Sequence, residues 1–118
     1  MATNNIEIYN AEEMLIQCLN DKNLFNQFLK MAIETLPTYQ MELLNAIESQ
    51  NNEMVSQKAH KLKSFTGNIK LNQLNTILIE LEREANANNT SFINSKLDEL
   101  NQAFALAKQA LQNEFSNI

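Results

Sequence analysis

The chain has 118 residues, a formal charge of -5, 44% hydrophobic and 19% charged residues, enough for one core and too apolar for wholesale disorder. A single Gly and a single Pro leave almost no tight-turn chemistry, which excludes an all-β fold. The acidic balance argues against nucleic acid or anionic lipid as the main partner, and no apolar run approaches the roughly 20 residues of a membrane span. Cys18 is the only cysteine, so no intramolecular disulfide forms and a reducing, cytoplasmic compartment is expected.

Met1 to Tyr9 has neither the basic start nor the apolar stretch of a secretory signal. Ile6, Ile8 and Tyr9 alternate over a span too short for an independent element, so residues 1–10 are expected to form an arm or cap on a single domain covering 1–118. Met14, Leu15 and Cys18 at helical spacing predict a short helix from about Ala11 to Leu19. Asp21 then reads as an N-cap, followed by Leu24, Phe25, Phe28, Leu29 and Ile33 on one face. Pro37 interrupts this pattern, which resumes through Tyr39, Met41, Leu44 and Ile47. Two nearly collinear segments are expected there, with a single kinked helix as the other solution.

The polar stretch from Glu48 to Asn52 reads as a connection. Further helices are expected from about Glu53 to Ile69 and from about Leu71 to Ala85, the latter carrying Leu71, Leu74, Leu78, Leu81 and Ala85 as its stripe. Asn86 to Asn89 is a loop, with Thr90 or Ser91 placed to cap the last helix. That helix carries Ile93, Leu97, Leu100, Phe104, Ala107 and Leu111 in alternating steps of four and three, the signature of a bundle seam. The predicted fold is all-α: an antiparallel up-down four-helix bundle with short additional N-terminal helical segments.

Chemistry concentrates on one helix. By wheel arithmetic Val55, Ala59, Leu62, Thr66 and Ile69 form the core stripe, and His60, the only histidine, falls roughly 160° from its centre. The imidazole should face solvent. Ser56 and Ser64 lie four residues before and after it, Gly67 lies seven after, and Lys63 lies one turn on. Gly67 either clears the surface for a large partner or helps to end the helix as a C-cap.

A flat helical face offers no pocket for a hydrolytic triad. One His and one Cys give no zinc spacing, and one glycine cannot build a phosphate-cradling loop. A neutral imidazole remains a nucleophile near pH 7, and Lys63 can offset phosphoryl charge. Such a residue can accept and donate a phosphoryl group when a partner brings the metal and the activated phosphate. If the following turn centres near Leu71, an antiparallel hairpin sets Glu82 level with His60 and roughly 65° off its own apolar stripe. From there its carboxylate can accept the Nδ1 hydrogen and leave Nε2 free. The other reading of Glu82 is a solvated carboxylate near Arg83 or Lys63.

The segment Ala59 to Leu74, AHKLKSFTGNIKLNQL, resembles the signature of histidine-containing phosphotransfer (HPt) domains, roughly A-H-x-L-K-G-x-x-x-N-[IL]-G-x-x-x-L followed by an L-E pair. Here that pair is Leu81-Glu82. The similarity extends more loosely over an aromatic helix with Phe25 and Phe28, then Thr35-Leu36-Pro37, then a helix ending near Ala46. The resemblance implies that His60 is phosphorylated at Nε2, that Lys63 sits by the phosphoryl group, and that Glu82, a position often held by Gln, holds Nδ1. It implies no ATP site and no cofactor or metal of the chain's own, the Mg²⁺ being the receiver's.

Two positions depart from the pattern. Ser64 and Lys70 stand where Gly is usual, and the turn before Leu71 is expected to differ in detail. The function so implied is that of a phosphorelay intermediate of two-component signalling, a carrier and not an enzyme. It would exchange the group with response-regulator receiver domains, and a hybrid sensor histidine kinase is a further candidate partner. Ser56, Lys61, Ser64 and Gly67 form the expected docking surface. The alternative is a helical adaptor without chemistry, on which His60 is incidental. Met1 and the lack of a linker-like tail lead to the expectation of a free-standing protein, and a closed bundle to that of a monomer.

Overall fold

Asparagine and aspartate side chains open most of the helices. The computed structural model describes residues 7–116, which form α1 (Ala11–Gln17), α2 (Lys22–Glu48), α3 (Asn52–Asn68), α4 (Asn72–Asn86), α5 (Thr90–Ser95) and α6 (Leu97–Ser116). Asn10 caps α1 by accepting the Glu13 N–H at 3.0 Å. Asp21 caps α2, as expected, by accepting from Asn23 and Leu24 at 2.9 and 3.2 Å. Asn51 caps α3 through Met54 N–H at 3.1 Å. Each bond satisfies one of the N–H groups that a helix start leaves unpaired. Asn89 caps α5 by accepting from Phe92 at 3.2 Å, so the cap is one residue earlier than the Thr90 or Ser91 the sequence suggested.

The helix ends repeat one motif. Leu19, Gln50, Lys70 and Asn88 all have φ between 55° and 61°. In each case the next residue's N–H reaches back five residues: Asn20 to Leu15, Asn51 to Ala46, Leu71 to Thr66 and Asn89 to Glu84, at 2.9–3.2 Å. These are Schellman closures built without glycine. Gly67, by contrast, lies within α3 and has no positive φ, so the capping alternative for it is set aside. Lys70 still makes the sharp turn despite replacing the usual Gly, and its carbonyl accepts the Asn10 N–H at 3.0 Å. Tyr9 packs against the core just before it, its hydroxyl 3.3 Å from Met14 Sδ. Ile6 lies outside the described residues.

α2, α3, α4 and α6 form the antiparallel bundle, with α1 on α2 and α5 bridging α4 and α6. Leu29, Leu36, Leu43, Val55, Leu62, Leu74, Leu78, Leu100, Phe104 and Leu111 are almost wholly buried. Burying a side chain of this size stabilises the fold by about 1.5–3 kcal/mol. Cys18 belongs to this core at 3% exposure, where burial, and after it the Asp21 charge, push its thiol up. Among the described residues no helix is long and apolar enough to cross a membrane.

Two expectations are corrected. Pro37 lies inside one continuous 27-residue helix instead of separating two segments. A proline there removes the bond to the Ile33 carbonyl, at about 3 kcal/mol in an isolated helix. Pro37 is exposed, while Ala32, Leu36 and Leu43 around it are fully buried, so core packing holds the helix through the defect. The last helix is split in the opposite sense. α5 ends at Ser95, Lys96 is a turn, and α6 starts at Leu97. The four-three stripe continues across the break because Ile93, Leu100, Phe104, Ala107 and Leu111 all still point inward.

A left-handed residue with a Cβ is disfavoured by about 1–2 kcal/mol, part of which glycine returns through its greater unfolded-state freedom. Lys70→Gly is therefore expected to raise the stability by about 0.5–1 kcal/mol, read as a higher Tm in a thermal melt.

Candidate functional site

The α3–α4 hairpin carries the site. The turn at Ile69–Lys70–Leu71 sends α4 back along α3, and three polar contacts mark the register. At the far end Ser56 Oγ donates to Asn86 Oδ1 at 2.6 Å. Midway, His60 Nδ1 meets Glu82 Oε2 at 2.8 Å. Nearest the turn, Asn75 Nδ2 donates to Thr66 Oγ1 at 3.0 Å and to the Lys63 carbonyl at 2.7 Å. Thr66 is fully buried, and its hydroxyl in turn donates to the Lys63 carbonyl at 3.3 Å. A buried hydroxyl without partners would cost about 1–3 kcal/mol, so this cluster fixes how α3 and α4 sit together near the turn.

His60 presents its ring to solvent with 62% of the side chain exposed, while Glu82 is only 19% exposed. The second carboxylate oxygen, Oε1, receives Lys63 Nζ at 2.7 Å. Glu82 thus bridges the imidazole and the ammonium, one oxygen to each. Burial pushes the Glu82 carboxyl up, but the hydrogen bonds from Lys63 and then His60, with their charges, outweigh it and hold the group below the usual carboxylate range. It is ionised at neutral pH and, as an ionised carboxylate, can only accept hydrogen bonds. With Nδ1–H committed to Glu82, the lone pair of the neutral ring lies on Nε2. The arrangement provides an oriented, exposed nitrogen nucleophile with a cation one turn away.

The other residues singled out in the sequence surround this centre in different ways. Ser56 is tied to Asn86. Lys61 turns toward α2, with Nζ 3.3 Å from Glu42 Oε1 and 4.3 Å from the centre of the Tyr39 ring. Tyr39 in turn packs edge-on against Phe65, with ring centres 5.3 Å apart. Ser64 is exposed and Gly67 half-buried. A Cβ on Gly67 would lie 3.5 Å from Asn75 Nδ2, an ordinary contact, so nothing inside the molecule requires glycine there. The Lys63 ammonium, one turn from the ring, lies on Glu82.

Sequence reasoning missed Asn75 and Asn86. Their signal was present: Asn75, Glu82 and Asn86 are spaced by seven and four residues, which puts them on one flank of a helix. Beside the site, an apolar groove of about 370 Å³ is lined by Cys18, Phe28, Met31, Phe65, Asn68 and other residues. Phe28 and Met31 stay 38% and 43% exposed, and Ile16 and Leu19 of the neighbouring segment 57% and 84%. Among the described residues no cluster of three or more His, Cys, Asp or Glu could hold a metal ion.

Because the folded state lowers the Glu82 pKa, its ion pairs stabilise the fold fully above the unfolded value of about 4.3 and fade as pH falls through the lower folded value. Glu82→Gln should accordingly lower the Tm at pH 7, and the gap to wild type should close on acidification below about pH 4. Paired melts across that range measure it.

No curated protein sequence matches this chain significantly. Among solved structures, the HPT domain of a sensor hybrid histidine kinase from Shewanella superposes with a TM-score of 0.82 at 18% identity, covering 94% of this chain and 96% of that one. Histidine-containing phosphotransfer protein B from Pseudomonas aeruginosa PAO1 does so with a TM-score of 0.84 at 14% identity and the same coverage, 94% and 96%. At such identities these likenesses speak for the fold. The family model described as the Hpt domain matches residues 27–115, well over half the sequence and the whole α3–α4 hairpin, and the chain belongs to the Hpt domain family.

Proposed function

We propose that this Hpt domain carries its phosphoryl group on His60 Nε2 and exchanges it with the aspartates of response-regulator receiver domains. The family makes the chain a phosphorelay intermediate, a carrier of phosphoryl groups between receivers with no turnover of its own. The observation that carries the assignment to His60 is the 2.8 Å contact between its Nδ1 and Glu82 on an otherwise exposed ring. A neutral imidazole so held directs its Nε2 lone pair outward. That pair attacks the phosphorus of a receiver's aspartyl phosphate, the N–P bond forms, and the P–O bond breaks with its electrons staying on the aspartate. The catalytic machinery lies in the receiver, and the helix supplies orientation.

Lys63 serves as the positive group of the site, holding Glu82 when the ring is free and offsetting phosphoryl charge when it is loaded. Docking uses the small side chains of Ser56, Ser64 and Gly67, with Lys61, next to the histidine. The groove beside Phe65, with its exposed Phe28, Met31, Ile16 and Leu19, supplies the apolar part of the surface. A helix-interior glycine is disfavoured by about 1 kcal/mol against alanine, and since nothing internal requires Gly67, close approach of a partner is what it serves. A hybrid sensor kinase is the candidate source of one such receiver, and the carrier acts as a monomer in the cytoplasm.

Loading receivers with phosphate and following radiolabel tests this. Label should move to the wild type and not to His60→Gln, whose stability should change by about 1 kcal/mol or less because the hydrogen bond it removes comes from an exposed ring. Absence of transfer from receivers that load another acceptor would favour the adaptor reading. Lys63→Ala should slow transfer without abolishing it, as read by rapid-quench kinetics, and unchanged rates would remove Lys63 from the site. Gly67→Leu should keep full helicity by circular dichroism while raising the Kd for the receiver.

A further inference from the structure

The residue opposite Nδ1 is a carboxylate, and both of its oxygens are engaged. An amide in that place could serve either protonation state of the ring, offering its oxygen to an Nδ1–H or its NH2 to a bare Nδ1. A carboxylate accepts only. Once Nε2 bears a phosphoryl group, loss of the Nδ1 proton would leave the nitrogen lone pair facing Glu82 Oε2 across 2.8 Å, a repulsive contact inside a group that is only 19% exposed.

Resting on the reading of His60 as the carrier, we infer that Glu82 keeps the phosphorylated ring protonated at Nδ1, so that the chain holds its phosphoryl group in a short-lived, readily transferred form. The atoms follow directly. During loading the ring already carries the Nδ1 proton, so bonding at Nε2 gives a cationic ring without any proton transfer. During discharge, an incoming oxygen, of a receiver aspartate or of water, bonds to phosphorus. The N–P pair then returns to Nε2, and the leaving group is a neutral imidazole with its proton still on Nδ1. Were that proton lost first, the leaving group would be an imidazolate, a far more basic and slower one.

The charges around the ring fit this account. From α4 the facing group is Glu82, and from α3 it is Lys63, bound to the far oxygen at 2.7 Å. α2 brings Glu42 against α3, where Lys61 and Lys58 pair with it at 3.3 and 3.8 Å. Before loading, Lys63 moderates the carboxylate: it keeps Glu82 ionised, so that loading begins with the proton on Nδ1.

The test needs no partner. Phosphoramidate, a small-molecule phosphoryl donor, loads the purified chain, whose only histidine is His60, and phosphorus NMR follows the decay of phosphohistidine from about pH 5 to 9, a range that brackets imidazole titration. Decay should slow with rising pH as the Nδ1 proton is lost. The inflection is expected about 1–2 units lower in Glu82→Gln than in wild type, the effect of removing one adjacent opposite charge. Between the two inflections the variant should hold its phosphoryl group about tenfold longer. Glu82→Ala, which removes anion and amide alike, should behave as Glu82→Gln does, and guards against a folding defect peculiar to one variant. Label on His60 with superimposable profiles for wild type and variants would overturn this inference and leave the carrier reading standing. A chain that takes no label would overturn both.

Discussion

The register between α3 and α4 is the constraint on which the site depends. Neither helix builds the candidate site alone: His60 lies on one and Glu82 on the other, and a shift of one helical residue, about 1.5 Å along the axis and 100° around it, would part them. Three features hold the register. Lys70 makes the left-handed turn, the buried Thr66 with Asn75 locks the helices near that turn, and Ser56 with Asn86 closes the far end. Between these points the apolar stripes of both helices, Val55, Ala59 and Leu62 against Leu74, Leu78 and Leu81, are buried and resist rotation.

On the proposed reading, the carrier divides the chemistry with its partner. Its own contribution would be a nucleophilic nitrogen on a rigid helix, a tautomer set by one hydrogen bond, and a bridging carboxylate that is itself held by a lysine. The face is open, so a large partner can bring its own metal and phosphate to it. Exposed charge pairs contribute about 1 kcal/mol or less, so the bundle beneath is maintained mainly by its buried apolar side chains.

The asparagines illustrate how polar side chains substitute for missing glycines. With a single Gly in the chain, the helix starts use Asn10, Asn51 and Asn89, and two of the turns place Asn20 and Asn88 in the left-handed region. Asn and Asp suit both tasks because a short side chain can bond to nearby backbone. Leu19, Gln50 and Lys70 have no such advantage, and they hold positive φ because the flanking helices are packed into the core.

By itself the sequence determined the all-α class, the helix carrying His60, the outward direction of the ring and the pairing of that helix with the one bearing Glu82. The first three follow from periodicity, since the hydrophobic stripes here are nearly free of conflict, and the pairing follows from a turn near Leu71 together with the motif resemblance. The tertiary structure decided what periodicity cannot. α2 runs through Pro37 because buried neighbours outweigh one missing hydrogen bond, and the last helix breaks at Lys96 even though its apolar pattern does not. Helical spacing sets Lys63 one turn from the ring, but only in three dimensions does its ammonium reach the Glu82 oxygen that the histidine leaves free. Asn75 finds a buried hydroxyl across the hairpin for the same reason. Local spacing tells which face a side chain occupies, and only the packing of two helices tells which atom it meets there.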